Sequence, residues 1–272
     1  DAGFLKVAEL KNKSKQAENF PADIMNFKRF HLNLWQEGHD EPWVDMELYD
    51  SAEPRRSLSE LKGQPCFVGV DLAKRHDLTA VVAAFPIEEE DGTIFYDILA
   101  QFFLPEDNIA QKSEADGANY LKWHEEGILD LTPGNVIEHR RVINFVKKFA
   151  ERYNVLEVAI ARYDSTGVTS ELMEEGFEVI EFGQGWVSMN APIKEIKAAI
   201  MTGRFRHGDN GVLRMNFANV AVKIDDAENE KFTKMKSRGR IDGAVAAAMA
   251  IGRAMASVDE TSAYEDTGLL II

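Results

Sequence analysis

Phe67-Val68-Gly69-Val70-Asp71-Leu72-Ala73, followed closely by Asp77-Leu78-Thr79-Ala80-Val81-Val82, reads as a buried strand that ends on an aspartate, turns and starts a second strand. Apolar runs of this length bounded by a polar turn are the pattern of paired core strands. Asp71 is out of place in such a run unless something offsets its charge. Burying an unpaired carboxylate costs several kcal/mol, so a buried one is paired, protonated or bound to metal. A capping or turn role is the plainer alternative.

Two later aspartates repeat the pattern. Leu156-Glu157-Val158-Ala159-Ile160-Ala161 is β-prone and runs into Arg162-Tyr163-Asp164-Ser165-Thr166-Gly167, so a second strand delivers Asp164 at its carboxyl end. The turn and cap residues after it introduce a helix at about Ser170 to Glu175, and Asp164 could equally be an N-cap. Ligand sites in open α/β sheets gather where strands end. Asp242 opens an Ala-rich helix that the pattern carries to about Ala256. The helix dipole alone favours an acid there by about 0.3–1 kcal/mol. Ala246, Ala247 and Ala250 predict a helix pressed closely on a sheet, with Asp242 aimed at the sheet. Three acids at the ends of ordered elements suit Mg²⁺ or Mn²⁺, hard cations that take carboxylate oxygens.

The order of elements points to an α/β fold. Strands are expected at about Cys66–Asp71, Leu78–Phe85 and Ile94–Leu104, with Asp91-Gly92 as the turn between the last two. Helices follow at about Glu114–Glu126 and Val136–Tyr153. Next come the Leu156 strand, a short helix, a Glu178–Phe182 strand and a helix at about Pro192–Thr202. A meander from Gly203 to about Phe232 precedes the last helix. Antiparallel strands followed by α/β alternation predict a mixed central sheet flanked by helices.

Several ordered blocks resemble the C-terminal nuclease domain of the large terminase subunit of tailed bacteriophages, over Gly63 to Ala256. They are Gly63 through Val82, Pro133-Gly134-Asn135-Val136-Ile137, Tyr163-Asp164-Ser165-Thr166-Gly167, the stretch from Gly203 to Leu213 with Asn219-Val220, and Lys234-Met235-Lys236-Ser237 with Arg240-Ile241-Asp242-Gly243. The resemblance implies a ribonuclease-H-like fold and cleavage of concatemeric double-stranded DNA during genome packaging, in the host cytoplasm. It implies Asp71, Asp164 and Asp242 as ligands of two Mg²⁺ or Mn²⁺ ions, with Asp71 bridging. It also implies the portal, the small terminase subunit and an ATPase domain of the same full-length protein as partners. No G-x-x-x-x-G-K-[ST] phosphate loop occurs here. The chain therefore reads as an excised piece: residues 1–60 a connector from the ATPase domain, 61–258 the nuclease domain, 259–272 a tail. Asp209-Asn210-Gly211 stands where many relatives have Gly-Asn-Pro, which alters a turn and leaves the acids alone.

Charge qualifies this picture. The net charge of −15 is unlike that of a simple DNA binder. From Gly185 to Ser257, however, 12 Lys and Arg face 7 Asp and Glu. Lys234, Lys236, Arg238 and Arg240 cluster just before Asp242 and are expected to hold phosphates, the alternative being a solvated loop. Asp77 is expected to cap a turn, with a fourth ligand as the alternative; His76 reads as an exposed loop residue, and Glu138 and His139 as surface groups. The single cysteine, Cys66, excludes an internal disulfide and is expected in the core. No apolar run approaches the roughly 18 residues of a membrane span. A transposase, a resolvase or an actin-like ATPase would share the fold, and a non-catalytic docking module of a packaging motor is a further alternative.

Overall fold

The structure, a computed structural model, describes residues 42–72, 78–162, 166–234, 237 and 239–266, with the backbone alone for 258–266. Among the named expectations, those on residues 1–41 of the connector, His76, Asp77, Asp164, Lys236, Arg238 and residues 267–272 of the tail lie outside the described residues.

In chain order the elements are α1 (Met46–Asp50), β1 (Pro65–Asp71), β2 (Thr79–Glu88), β3 (Ile94–Pro105), α2 (Ile109–Asp116), α3 (Tyr120–Glu125), β4 (Leu129–Thr132), α4 (His139–Ala150), β5 (Asn154–Ala161), α5 (Thr166–Glu174), β6 (Val179–Phe182), α6 (Trp186–Met201), β7 (Phe205–Arg206), α7 (Gly211–Asn219), β8 (Val222–Ile224), β9 (Glu230–Phe232) and α8 (Asp242–Asp266). The sheet order is β4-β3-β2-β1-β5-β6, and β7 pairs with β3 beside β4. β1, β2 and β3 are antiparallel neighbours, while β5 joins β1 and β6 joins β5 in parallel. This is the mixed, helix-flanked sheet that the order of elements predicts, and the ribonuclease-H-like fold that the resemblance implies.

The alternation of β1 sets the layers. Cys66, Val68 and Val70 enter a core that Val142, Ile143 and Val146 of α4 and Val168 and Leu172 of α5 complete. Burial there pushes the Cys66 thiol up to about 12. Phe67, Gly69 and Asp71 face the opposite side, because successive strand residues alternate. That side is covered by α8, which lies across β1, β2 and β5. Every residue of α8 from Asp242 to Ile251 is buried. A helix apolar on all sides belongs inside a fold, and α6 and α7 cover its outer side.

Several expected elements differ, each for a local reason. The helix expected at Glu114–Glu126 is two short ones, because Gly117 takes φ +60°, and the N–H groups of Gly117 and Ala118 close α2 on the carbonyls of Glu114 and Ser113. α4 starts at His139, three residues after exposed Val136. α5 starts at Thr166, ahead of the expected Ser170. α6 starts at Trp186 and carries Pro192 in its interior. Proline suggested a helix start, but Pro192 is buried, and a Cβ on Gly252 of α8 would lie 3.3 Å from its ring. The meander expected after Gly203 holds α7, capped by Asn210, whose Oδ1 accepts from the Leu213 N–H at 3.0 Å. β4 was not expected. α8 continues to Asp266, beyond Ala256.

Candidate active site

Asp71 and Asp242 are brought together by the packing of α8 on β1. A Cβ on Gly69 would lie 2.0 Å from the Ala246 carbonyl oxygen, so glycine is what admits the helix backbone here. Two residues along β1 is about 6.7 Å. Four residues back along α8 is about 6 Å. Both walks leave the same contact in the same direction, and they end at Asp71 and Asp242. Each aspartate is only 3% exposed.

Lys234 joins them. Its Nζ donates to Asp242 Oδ1 at 2.6 Å and to Asp71 Oδ2 at 3.2 Å. Burial opposes charge on this ammonium, but the two carboxylates outweigh burial and hold its pKa well above the usual lysine range. The other oxygen of Asp71, Oδ1, accepts from Gln184 Nε2 at 3.2 Å. Gln184 sits between two glycines just past β6, at the same carboxyl edge of the parallel strands.

The entry to α8 is braced. Asn216 of α7 accepts the Gly243 N–H on its Oδ1 at 2.7 Å, satisfying a first-turn donor that no helical carbonyl can reach. Its Nδ2 donates to the Val212 carbonyl at 2.8 Å. Asn219 Nδ2 donates to the Arg240 carbonyl at 3.3 Å. Arg240 Nε donates to Asp116 Oδ2 at 2.7 Å and to the Tyr120 hydroxyl at 3.0 Å, and that hydroxyl donates to the same carboxylate oxygen at 2.6 Å.

The expected site residues therefore fare differently. Asp71 and Asp242 meet. β5 ends at Ala161, three residues before Asp164, and Asp164 lies outside the described residues. Of the basic cluster, Lys234 is engaged with the acids and Arg240 with Asp116; Lys236 and Arg238 lie outside the described residues. Among the described residues no three acids, histidines or cysteines gather as a metal set. The two buried carboxylates nonetheless fit a hard divalent cation: their donors are oxygens, and a positive group already sits between them. Gln184, Asn216 and Asp116 escaped the sequence reading. The Gly183-Gln184-Gly185 triplet at a strand end is the one signal that could have flagged the first of them.

Residues 5–258 match the family described as the terminase large subunit, endonuclease domain. Protein YmfN of Escherichia coli (strain K12) is 29% identical over 253 residues, which cover 90% of this chain and 55% of YmfN. The terminase large subunit of Enterobacteria phage HK97 is 33% identical over 259 residues, covering 94% of this chain and 50% of that protein. The crystal structure of the HK97 large terminase aligns with a TM-score of 0.70 at 27% identity, over 93% of this chain and 52% of that one. The chain thus spans about half the length of these relatives.

Proposed function

The chain belongs to the terminase large-subunit endonuclease family, and on that premise we propose that it is a metal-dependent endonuclease that cuts concatemeric double-stranded DNA during genome packaging. The observation that supports this most is the buried pair Asp71 and Asp242 with a cation between them, at the carboxyl edge of β1 and beside the end of β5. A carboxylate pair shielded from water and joined through one cation matches the need of phosphodiester hydrolysis for fixed divalent ions.

Asp71 and Asp242 would hold Mg²⁺ or Mn²⁺, with Asp164 as the third ligand. When bound, a pair of such ions supplies an activated water and stabilises the departing 3′ oxygen. The protein's part is positional. Gln184 fixes the rotation of the Asp71 carboxylate through Oδ1. Asn216 and the Arg240–Asp116 pair hold the first turn of α8, and hence Asp242, against the sheet. Lys236 and Arg238, which precede Asp242 in the sequence, are proposed to hold the DNA backbone by phosphate contacts that position it without reading sequence.

The rest of the reading follows the family. Residues 1–60 would connect to an ATPase domain of the full-length protein, 61–258 would form the nuclease domain and 259–272 a tail. The portal and small terminase subunit would be partners, in the host cytoplasm. Among the described residues no helix is long and apolar enough to cross a membrane.

Relaxation of supercoiled plasmid in Mg²⁺, Mn²⁺ and EDTA tests the reading. Nicking with either metal and none in EDTA is expected. An inert protein, with no rise in melting temperature at millimolar Mn²⁺, would instead indicate a docking module.

A further inference from the structure

We propose that Lys234 is a resident cation that occupies the acidic pair in the metal-free protein and must leave it when a divalent metal enters. The proposal rests on the metal-site reading above and goes beyond it by giving the metal a competitor within the chain.

Three observations carry it. First, the ammonium uses the oxygens a metal would need: Oδ1 of Asp242 and Oδ2 of Asp71, at 2.6 and 3.2 Å. The remaining Asp71 oxygen takes the Gln184 amide, so a metal reaching both residues displaces a donor that is already seated. Second, the two sides of the contact differ in freedom. The carboxylates are 5% and 4% exposed and are fixed by a central strand and a buried helix, whereas the Lys234 side chain is 52% exposed. Half of its side chain is already in solvent, and a lysine stem is flexible enough to turn outward. Third, the contact suits the metal-free state. Two carboxylates this close repel each other, and an ammonium between them removes the repulsion, as a metal would. Displaced, Lys234 remains tethered at the rim of the site with its charge available to a phosphate. Metal loading would then expose a cation for the substrate, and by linkage an anionic substrate that holds Lys234 away would tighten metal binding.

Affinity follows from the competition. A site that is free for only a fraction of the time binds its ligand more weakly by that fraction, and a lysine occupying it about nine-tenths of the time costs about tenfold. Lys234→Met, which keeps the stem and removes the charge, should therefore bind Mn²⁺ about tenfold more tightly than wild type in a calorimetric titration of the 272-residue chain. Lys234→Arg, which keeps the charge, should stay near wild type, a restoration that a merely structural stem would not produce. Equal Mn²⁺ affinity in all three proteins would overturn the proposal.

A second measurement needs no variant. Acylation of Lys234 by a water-soluble ester, read by mass spectrometry, should rise several-fold as Mn²⁺ is titrated into wild type. Unchanged labelling alongside a Mn²⁺-induced rise in melting temperature would sink the displacement while leaving the metal site standing. Absence of both the labelling change and the melting shift would sink the metal site with it.

Discussion

Asp71 and Asp97 are both buried carboxylates on neighbouring parts of one sheet, yet their charges are met in opposite ways. Asp97, on β3, is wholly buried. Its Oδ1 accepts the Arg56 backbone N–H at 2.9 Å, and the Arg56 guanidinium lies 4.0 Å from Oδ2. Arg206, paired with it in register from β7, lies over the Phe95 ring at 4.0 Å and reaches Glu53 at 3.0 Å. These are planar cations fixed by backbone, ring and further acids, and they offset only part of a burial that raises the Asp97 pKa, its Oδ2 making no hydrogen bond among the described residues. Asp71 and Asp242 are joined by one ammonium on a half-exposed stem. Arg suits a permanent pair and Lys a compact, movable charge. Burial of an acid therefore does not by itself mark a functional site; the freedom of its partner does. Asp97 ties the chain before β1 to the β3–β7 edge, whereas Asp71 offers its charge to whatever enters.

The comparison breaks first at the edge. Tyr49 of α1 is fully buried, stacked on His207 at 4.0 Å and 5.2 Å from Phe217. Tyr49→Ala should lower unfolding free energy by about 3–5 kcal/mol, the range for removing a large buried ring. Tyr49→Phe should cost little, because the buried hydroxyl has no hydrogen-bond partner to lose among the described residues. Urea unfolding of the two variants checks both, and a harmless Tyr49→Ala would detach α1 from the core.

The next effect is on catalysis alone. Asp71→Asn and Asp242→Asn should each lower plasmid nicking by about 10²–10³-fold, the scale of losing one charge-stabilising group. Asp97→Asn should leave nicking intact. Comparable losses in all three would show that buried acids matter here only for folding.

Gly69→Ala should destabilise by about 1–3 kcal/mol, the usual cost of overpacking, because its Cβ would strike the Ala246 backbone, which has no side chain to rotate away. It should also weaken nicking, since α8 carries Asp242. Stability and activity measured together test whether one contact sets both.

The smallest effect is a pH slope. Burial holds the His207 pKa below its ordinary value. Its Nε2 donates to the Tyr49 carbonyl at 2.8 Å and its Nδ1 accepts the Asp209 N–H at 3.3 Å, an arrangement that needs the neutral ring. Below about pH 6.5 the unfolded chain takes a proton that the folded one resists, so stability falls as pH drops through that value. Asp97, whose pKa burial raises, contributes the opposite slope, its cost growing as pH rises above the ordinary aspartate range. Unfolding from pH 7.5 to 5.5 should be less pH-dependent in His207→Gln than in wild type, and the difference isolates the histidine.

Much of this was legible before any coordinates. The strands from Cys66 to Leu104 and the two that follow α4 and α5 announced themselves, because their apolar runs are continuous and their turns carry Asp91-Gly92 or a capping cluster. The Ala-rich start of α8 declared a close approach. The long stretch after Gly203 was read as extended, because β7 is two residues long and α7 is nine; at that length tertiary contacts outweigh periodicity. The basic cluster was read by its charge and its place just before Asp242, and neither of these names a partner.

By itself, then, the sequence determined the long strands and helices and the places where Asp71 and Asp242 end or begin them, since alternation and helical period are local properties of the chain. Only the tertiary structure decided that Gly69 admits Ala246, that Lys234 turns inward to both acids, and that Arg240 is committed to Asp116. Those pairings join residues up to 177 positions apart. Many cations could satisfy a carboxylate equally well on paper; the one that does is chosen by which surfaces the packed sheet and helices bring within hydrogen-bonding distance.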